Sequence, residues 1–244
     1  MSVDIIIQAR MTSTRLPGKI LLPVLNKPLL WYQIERLRSV KSVQQIIIAT
    51  TDNETDEPIV KFCETMGLPY YRGSENDVLA RYYHAATKYK CESIVRITSD
   101  CPVIDPTIVD KTIELFYTSK HYDYVSNCLM RAFPRGMDTE VFTYQALAQA
   151  FSVATDIPDR EHVTAYIYRH QEKFNIGNYF DVQDNSRYRL TVDTPEDFEL
   201  IRRIIETLYP VKADFTLSDI LALMSSKNDW FLLNSRVEQK KYGQ

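Results

Sequence analysis

The sequence predicts an α/β fold in which a mostly parallel sheet carries helices on both faces, three layers in all. Extended and helical patterns alternate over the first hundred residues: extended at 4–8, helical at 27–40, extended at 45–50, helical at 54–66 and 76–89, extended again at 93–98. The runs Ile46-Ile47-Ile48-Ala49 and Ile94-Val95-Arg96-Ile97 are nearly continuous apolar stretches, the pattern of strands covered on both sides. A length of 244 residues, 45% hydrophobic and 25% charged, suits one large domain with a sizeable core rather than disorder or a disulfide scaffold.

The helical readings rest on spacing. Leu30, Ile34 and Leu37 trace one stripe; Ile59, Phe62, Cys63 and Met66 fall at i, i+3, i+4 and i+7, so each set lines a single face turned towards the sheet. After about residue 120 the rhythm changes, with an extended stretch at 122–127, an irregular Arg131-Ala132-Phe133-Pro134-Arg135-Gly136 turn and a helix at 144–151. Alternation then returns, with a strand expected at 187–192 and a helix at 194–208 carrying Phe198, Ile201, Ile205 and Leu208. Thr194 and Asp197 have capping-box spacing, and Pro195 fits the first helical position. Neither an internal repeat nor a linker interrupts the chain, so the expectation is a single domain over 1–244, with an acceptor-side insertion at about 120–180.

Composition excludes some functions. Lys plus Arg number 29 against 32 Asp plus Glu, a formal charge of -3, which leaves no global field for a nucleic-acid backbone; any anion site must be local. The N-terminus passes straight into Val3-Asp4-Ile5-Ile6-Ile7, too short and lightly flanked for a signal peptide. No apolar run approaches bilayer length, so a cytoplasmic protein without nucleic-acid or membrane partners is expected. Cys63, Cys91, Cys101 and Cys128 form no CxxC pair and read as reduced, mostly buried thiols. Cys101 adjoins an interesting aspartate, but nothing near it in sequence supplies the partners of a thiol nucleophile.

The most informative segment follows the first strand: Gln8-Ala9-Arg10-Met11-Thr12-Ser13-Thr14-Arg15-Leu16-Pro17-Gly18-Lys19. It places three cations and several hydroxyls in a loop expected at the carboxyl edge of an open sheet, where such folds bind ligands. Arg10, Ser13, Arg15 and Lys19 are candidate triphosphate contacts. On charge count alone a solvated basic loop is the commoner explanation, and position tips the balance. The segment contains neither GxxxxGK[ST] nor GxGxxG, so P-loop and dinucleotide-binding readings lose their usual support.

The loop resembles the A-R-x-x-S-x-R-x-P-G-K motif of the CMP-sugar synthetase (cytidylyltransferase) group. Ala9-Arg10, Ser13, Arg15 and Pro17-Gly18-Lys19 match it, and Arg72-Gly73-Ser74-Glu75-Asn76-Asp77-Val78-Leu79 is similar to a stretch of the SpsF-type spore coat polysaccharide biosynthesis proteins. The resemblance covers nearly the whole chain. It implies the nucleotide-diphosphosugar transferase type of three-layer doubly wound fold and CTP as donor. It further implies nucleotide contacts from Ala9, Arg10, Ser13, Arg15 and Lys19, with Arg72 on the nucleotide side.

Two aspartates are expected at the carboxyl ends of strands: Asp100, in Ser99-Asp100-Cys101-Pro102, and Asp193, in Asp193-Thr194-Pro195-Glu196-Asp197. If those strands are neighbours, both carboxylates reach the crevice bordered by the first loop and suit Mg2+, which needs only one or two carboxylates plus phosphates and water. Taken singly, each is better explained as a turn or helix-start residue. Together they resemble the Gly-Asp-x-Pro and Val-Asp-Thr-Pro-Glu-Asp segments of ketodeoxyoctonate-activating relatives, in which the matching aspartates bind metal. Where those relatives carry Gln-Gly, this chain has Thr98-Ser99. Arg135, Asp138, Glu140, Arg160 and His162 are candidates for an acceptor pocket, with a salt-bridged surface as an equal alternative.

The expected reaction is in-line attack of an acidic sugar's hydroxyl on the α-phosphorus of CTP, with pyrophosphate leaving. Asp100 and Asp193 would hold the metal, while Arg10, Arg15 and Lys19 offset charge on the leaving group. A homodimer stays open. So do three other functions: a nucleotidyltransferase acting on a phosphorylated sugar, polyol or phosphonate; a metal-dependent glycosyltransferase using Asp138-Thr139-Glu140; and a nonenzymatic nucleotide-binding regulator.

Overall fold

In the computed structural model, which describes residues 3–118, 121–227 and 229–239, seven strands form one sheet. They are β1 (Val3–Gln8), β4 (Val43–Thr51), β5 (Tyr70–Gly73), β6 (Ser93–Thr98), β7 (Tyr124–Ser126), β8 (Glu140–Thr143) and β9 (Ile176–Asn178), arranged β5-β4-β1-β6-β8-β7-β9. β2 (Pro23–Val24) and β3 (Lys27–Pro28) make a separate small antiparallel pair. Within the large sheet only β8 runs against its neighbours, pairing Ser93 with Thr143 and Arg96 with Glu140 across β6.

Alternation along β1 explains the layers. Ile5 and Ile7 join Leu30, Ile34 and Leu37 of α1 (Leu29–Leu37) and Ile59 and Cys63 of α2 (Glu57–Met66) on one face. Ile6 turns the other way and meets Leu79, Tyr82 and Ala85 of α3 (Val78–Lys88). The first of these helices starts later than the apolar pattern predicts. Leu25 and Asn26 take left-handed backbone angles (φ 46° and 64°), turning β2 into β3, and Pro28 stands extended as the residue before the helix.

The expected strand at 187–192 is a correction. Residues 188–192 are all buried, but 187 lies in a turn and 191 in a bend, and the segment's one ladder contact among the described residues is a single parallel bridge between Arg135 and Arg189. The adjoining turn forbids more. Gly136 sits at φ 101°, and a Cβ there would lie 2.4 Å from the Leu190 carbonyl oxygen, so the two segments touch backbone to backbone and then part.

The remaining helices are α4 (Pro106–Phe116), α5 (Tyr144–Val153), α6 (Ile157–His162), α7 (Ala165–Arg169), α8 (Pro195–Leu208), α9 (Leu217–Ser226) and α10 (Trp230–Asn234). The α8 start is as expected: Thr194 and Asp197 make a reciprocal capping box and Pro195 opens the helix. Its inner face, Leu200, Ile201, Ile204 and Ile205, packs with Phe215, Leu217 and Ile220 into a third apolar cluster. Among the described residues no helix is long and apolar enough to cross a membrane. All four cysteines are free; Cys63, Cys91 and Cys101 are buried and Cys128 half-buried.

Candidate functional site

Because β1 and β6 are parallel neighbours, the loop after Gln8 and the turn after Thr98 emerge at the same edge of the sheet. The loop is pinned at its beginning. Met11 N–H donates to Asp56 Oδ1 at 2.7 Å, and the fully buried Asp56 also accepts from the hydroxyls of Thr50 and Thr51. The loop is then folded on itself: Leu16 N–H donates to Ser13 Oγ at 3.3 Å and Gly18 N–H to the Met11 carbonyl at 2.9 Å. Gly18 makes that closure at φ 68°, where an L side chain is strained. The closure delivers Lys19, only 9% exposed, into a short 3-10 turn at Lys19–Leu21.

The Lys19 ammonium stands between the two aspartates, 3.0 Å from Asp100 Oδ2 and 2.7 Å from Asp193 Oδ1. Asp193 reaches this place without a paired strand: the Val192 N–H and the Thr191 hydroxyl both donate to the Asp100 carbonyl, at 2.9 and 3.0 Å, tying the two segments at the point where their carboxylates meet. The other Asp193 oxygen takes Arg15 at 3.0 Å and Arg189 at 2.7 Å. Thr98 donates to Asp100 Oδ1 at 2.6 Å, so the residue that replaces the glutamine of the Gln-Gly pair orients the carboxylate.

Burial alone would raise the Asp100 carboxyl, but the Lys19 charge and the Thr98 hydrogen bond outweigh it and hold the group at about 2. Burial likewise disfavours the charged form of Lys19, and the two carboxylates reverse that, leaving its ammonium raised. The Cys101 thiol lies 3.6 Å from Asp100 and is pushed well above its ordinary value by burial and by that carboxylate, so it stays protonated. Two hard oxygen donors that already converge on one cation fit magnesium chemistry. Among the described residues no group of three or more His, Cys, Asp or Glu side chains gathers as a metal cluster.

Comparison with known proteins gives the family and the fold type. A family model described as cytidylyltransferase matches residues 5–226. The chain belongs to the cytidylyltransferase family. A cytidylyltransferase from Leptospira borgpetersenii serovar Hardjo-bovis has the same structure at TM-score 0.89, with 34% identity and 99% of each chain covered. The spore coat polysaccharide biosynthesis protein SpsF of Bacillus subtilis is 34% identical over 92% of this chain and 94% of its own length. A CMP:2-keto-3-deoxy-manno-octonic acid synthetase complexed with CTP shares the fold at TM-score 0.65 and 17% identity, covering 84% of this chain and 99% of that one. The mostly parallel seven-stranded sheet with helices on both faces is thus of the nucleotide-diphosphosugar transferase type.

The other candidate residues are distributed around the central cluster rather than gathered into it. Ala9 is buried and donates its N–H to the Ala49 carbonyl, while Arg10, at the loop surface, reaches Glu75 at 3.4 Å. Arg72 braces the segment after β4, donating to the carbonyls of Thr51 and Asn53 and pairing with Glu57. Arg160 is committed to Asp77, the residue that caps α3, and to the carbonyls of Phe151 and Ala154, which makes it a tie between α3 and the α5–α6 corner. Glu140 lies in the sheet interior with Arg96, Tyr124 and Thr164 as partners, and Asp138 is gripped by both nitrogens of Arg131 at 2.6 and 2.9 Å. His162 ends α6, where the chain bends through Val163 at φ 61°; burial keeps its imidazole below the usual value despite Glu161.

Arg135 makes no ion pair among the described residues. Burial, and then the charge of Arg131, lowers its guanidinium from the ordinary value. It lines a cavity of about 130 Å³ together with Arg187, Arg189, Tyr188, Ser186 and Ser235. Sequence reasoning passed over Asp56, Arg189 and Asn234, and noted Thr98 only as a departure from the relatives' Gln-Gly pair. None carries a local motif, although Arg189 lies four positions before Asp193, and Asp197 was read only as a cap.

Proposed function

We propose that this chain transfers CMP from CTP to the hydroxyl of an acidic sugar of the ulosonic or nonulosonic acid type, releasing pyrophosphate, in the making of a surface polysaccharide or glycan. The observation that carries the proposal is the convergence of Lys19, Arg15, Asp100 and Asp193 at the carboxyl edge of the sheet. In the reaction the acceptor oxygen bonds to the α-phosphorus as the bond from that phosphorus to the bridging oxygen of pyrophosphate breaks, and the hydroxyl proton passes to water. Asp100 and Asp193 would hold Mg2+. When bound, the ion supplies Lewis-acid polarisation of the α-phosphate and lowers the pKa of the attacking hydroxyl.

The chain's own groups do the rest by position and charge. Arg10 and Arg15, on the exposed rim of the loop, and Lys19 at its end are the cations that turn towards the triphosphate and offset the charge growing on pyrophosphate. Thr98 keeps Asp100 oriented. The cavity with Arg135 and Arg187 offers guanidinium forks for the acceptor's carboxylate, and Arg189 lines it while its own guanidinium is committed to Asp193 and Asp197. The Bacillus relative is named for spore coat polysaccharide biosynthesis, which supports the polysaccharide setting of this reading, and the CTP-bound synthetase that shares the fold is named for an ulosonic acid, which supports the acceptor class.

A pyrophosphate-release screen tests it. CTP and UTP are each offered with acidic ulosonic or nonulosonic sugars, neutral sugars and sugar phosphates, in the presence of Mg2+. Release with CTP and an acidic sugar is expected. Release only with a phosphorylated acceptor, or CTP binding with no release under any pairing, overturns the proposal.

A further inference from the structure

The Asp193 carboxylate is held from the protein side by a bracket that ordinary helix capping does not explain. Asp197 is fully buried and accepts five hydrogen bonds: from Asp193 N–H at 2.9 Å, Thr194 N–H at 3.2 Å, Arg189 Nε at 2.9 Å, Arg189 Nη2 at 3.1 Å and Asn234 Nδ2 at 2.8 Å. A capping box needs only the exchange between Thr194 and Asp197. The other partners come from outside the helix start. Arg189, 8% exposed, uses the same Nη2 to reach Asp193 Oδ2 at 2.7 Å, so its guanidinium is clamped by Asp197 while it touches Asp193. Asn234, 3% exposed at the end of α10, donates both to Asp197 and to the Arg189 carbonyl at 3.0 Å, fixing that arginine by side chain and by backbone.

We infer that Arg189, Asp197 and Asn234 are positioning residues that hold Asp193 in register for the metal-bound nucleotide. The inference rests on the proposed role of Asp193 as a metal ligand. Of the three cations on that carboxylate, Lys19 and Arg15 belong to the phosphate loop and are the ones that turn to a triphosphate. Arg189 is the one that remains, because its Nε and Nη2 are also held by the fully buried Asp197, while its Nη1 donates to the exposed Gln239 at 2.6 Å. Without it, Asp193 Oδ2 would lose the partner that fixes its orientation at the moment the loop cations leave. Outer partners of metal ligands act in this way, orienting the donor without touching the ion.

Mn2+ binding tests the bracket without needing the acceptor. The full-length protein is titrated with Mn2+ in the presence of CTP, the free ion being followed by electron paramagnetic resonance, and CTP binding is measured separately without metal. Asn234→Ala and Arg189→Lys should each weaken Mn2+ binding by about 10-fold and leave metal-free CTP affinity nearly unchanged. Arg189→Lys keeps a positive charge but cannot span Asp193 and Asp197 together, and it carries the test if Asn234→Ala fails to fold. Wild-type Mn2+ affinity in the folded variants, with a lowered melting temperature as their sole defect, would overturn the positioning role. Asp193→Asn is the control for the underlying reading: if it too binds Mn2+ like the wild type, the metal site itself is wrong, whereas loss in Asp193→Asn alone refutes only the bracket.

Discussion

On the wall built by the first loop, Arg10 and Arg15 keep 48% and 30% of their side-chain surface exposed, and each meets one carboxylate. On the facing wall Arg189 and Asp197 keep 8% and 0%, and both Asp197 oxygens, the Arg189 guanidinium and the Asn234 amide nitrogen are tied to groups around them. Exposed pairs of the first kind are worth little and exchange partners at little cost. Buried, multiply bonded charges of the second kind are expensive to disturb. On the proposed reading the two walls divide the work: one would yield to an incoming triphosphate, and the other would keep the carboxylate where the chemistry needs it.

The comparison breaks most visibly at the carboxylates that both walls share. Asp100→Asn and Asp193→Asn should each lower Mg2+-dependent CMP transfer by at least about 100-fold, the upper end of what losing an outer partner of a ligand costs, with the far-ultraviolet spectrum unchanged. The double variant should lose less than the two single losses combined, since either change already dismantles the unit. Near-normal pyrophosphate release by both single variants at limiting magnesium would refute the shared site.

Lys19 lies on the boundary between the walls. Lys19→Met should weaken CTP binding by about 1.5–3 kcal/mol, measured by calorimetry, through loss of a charge-assisted contact. It should also lower stability, because two largely buried carboxylates lose their common cation. The pH dependence has a definite sign. The depressed Asp100 contributes stability above the ordinary carboxylate range near about pH 4 and loses it as pH falls towards its folded value. The raised Lys19 contributes below about pH 10.5 and loses that contribution as pH rises through its folded value. Denaturation midpoints of wild type and variant should thus keep a constant gap between about pH 5 and 9 and converge at either extreme. A gap that widens in acid would show that Lys19 is not the partner that matters.

Gly136→Ala probes the fixed wall from behind. A methyl group 2.4 Å from the Leu190 oxygen must move the 187–192 segment, and with the strain of φ 101° a stability loss of about 1–3 kcal/mol is expected. A denaturant midpoint equal to that of the wild type would mean that the wall is softer than its contacts suggest. The smallest stability effect belongs to the yielding wall. Arg10→Ala should leave unfolding free energy within about 0.5 kcal/mol of the wild type while raising the KM for CTP. A large drop in melting temperature would place Arg10 in the framework instead.

Legibility in the sequence follows the same division. The loop, the strand at Ser93–Thr98 and the Thr194–Asp197 cap are local patterns of spacing and residue type, and each stands where it was expected. What was illegible depends on distant partners. The strand Glu140–Thr143 is four residues long and opens with a buried glutamate, which is tolerable only because Arg96, Tyr124 and Thr164 come from elsewhere to satisfy it. The alternation at 187–192 has the period of a strand, yet its N–H groups turn to the Asp100 carbonyl and to a glycine turn rather than to a ladder. Arg189 and Asp56 have nothing in their own neighbourhoods to mark them, since their importance lies in groups that the fold brings to them.

The amide of Asn234 reaches back 37 residues to Asp197 and 45 to Arg189. Domains begin to form from the amino end while the ribosome is still adding residues. The phosphate loop and Asp100 therefore leave the exit tunnel long before the last member of the bracket exists. A polypeptide that stops short of Asn234 has every carboxylate and cation of the cluster but lacks the amide that donates to Asp197 and to the Arg189 carbonyl. On the proposed reading, the aim of Asp193 is set only when α10 docks, after the carboxylates and cations of the cluster have all been made.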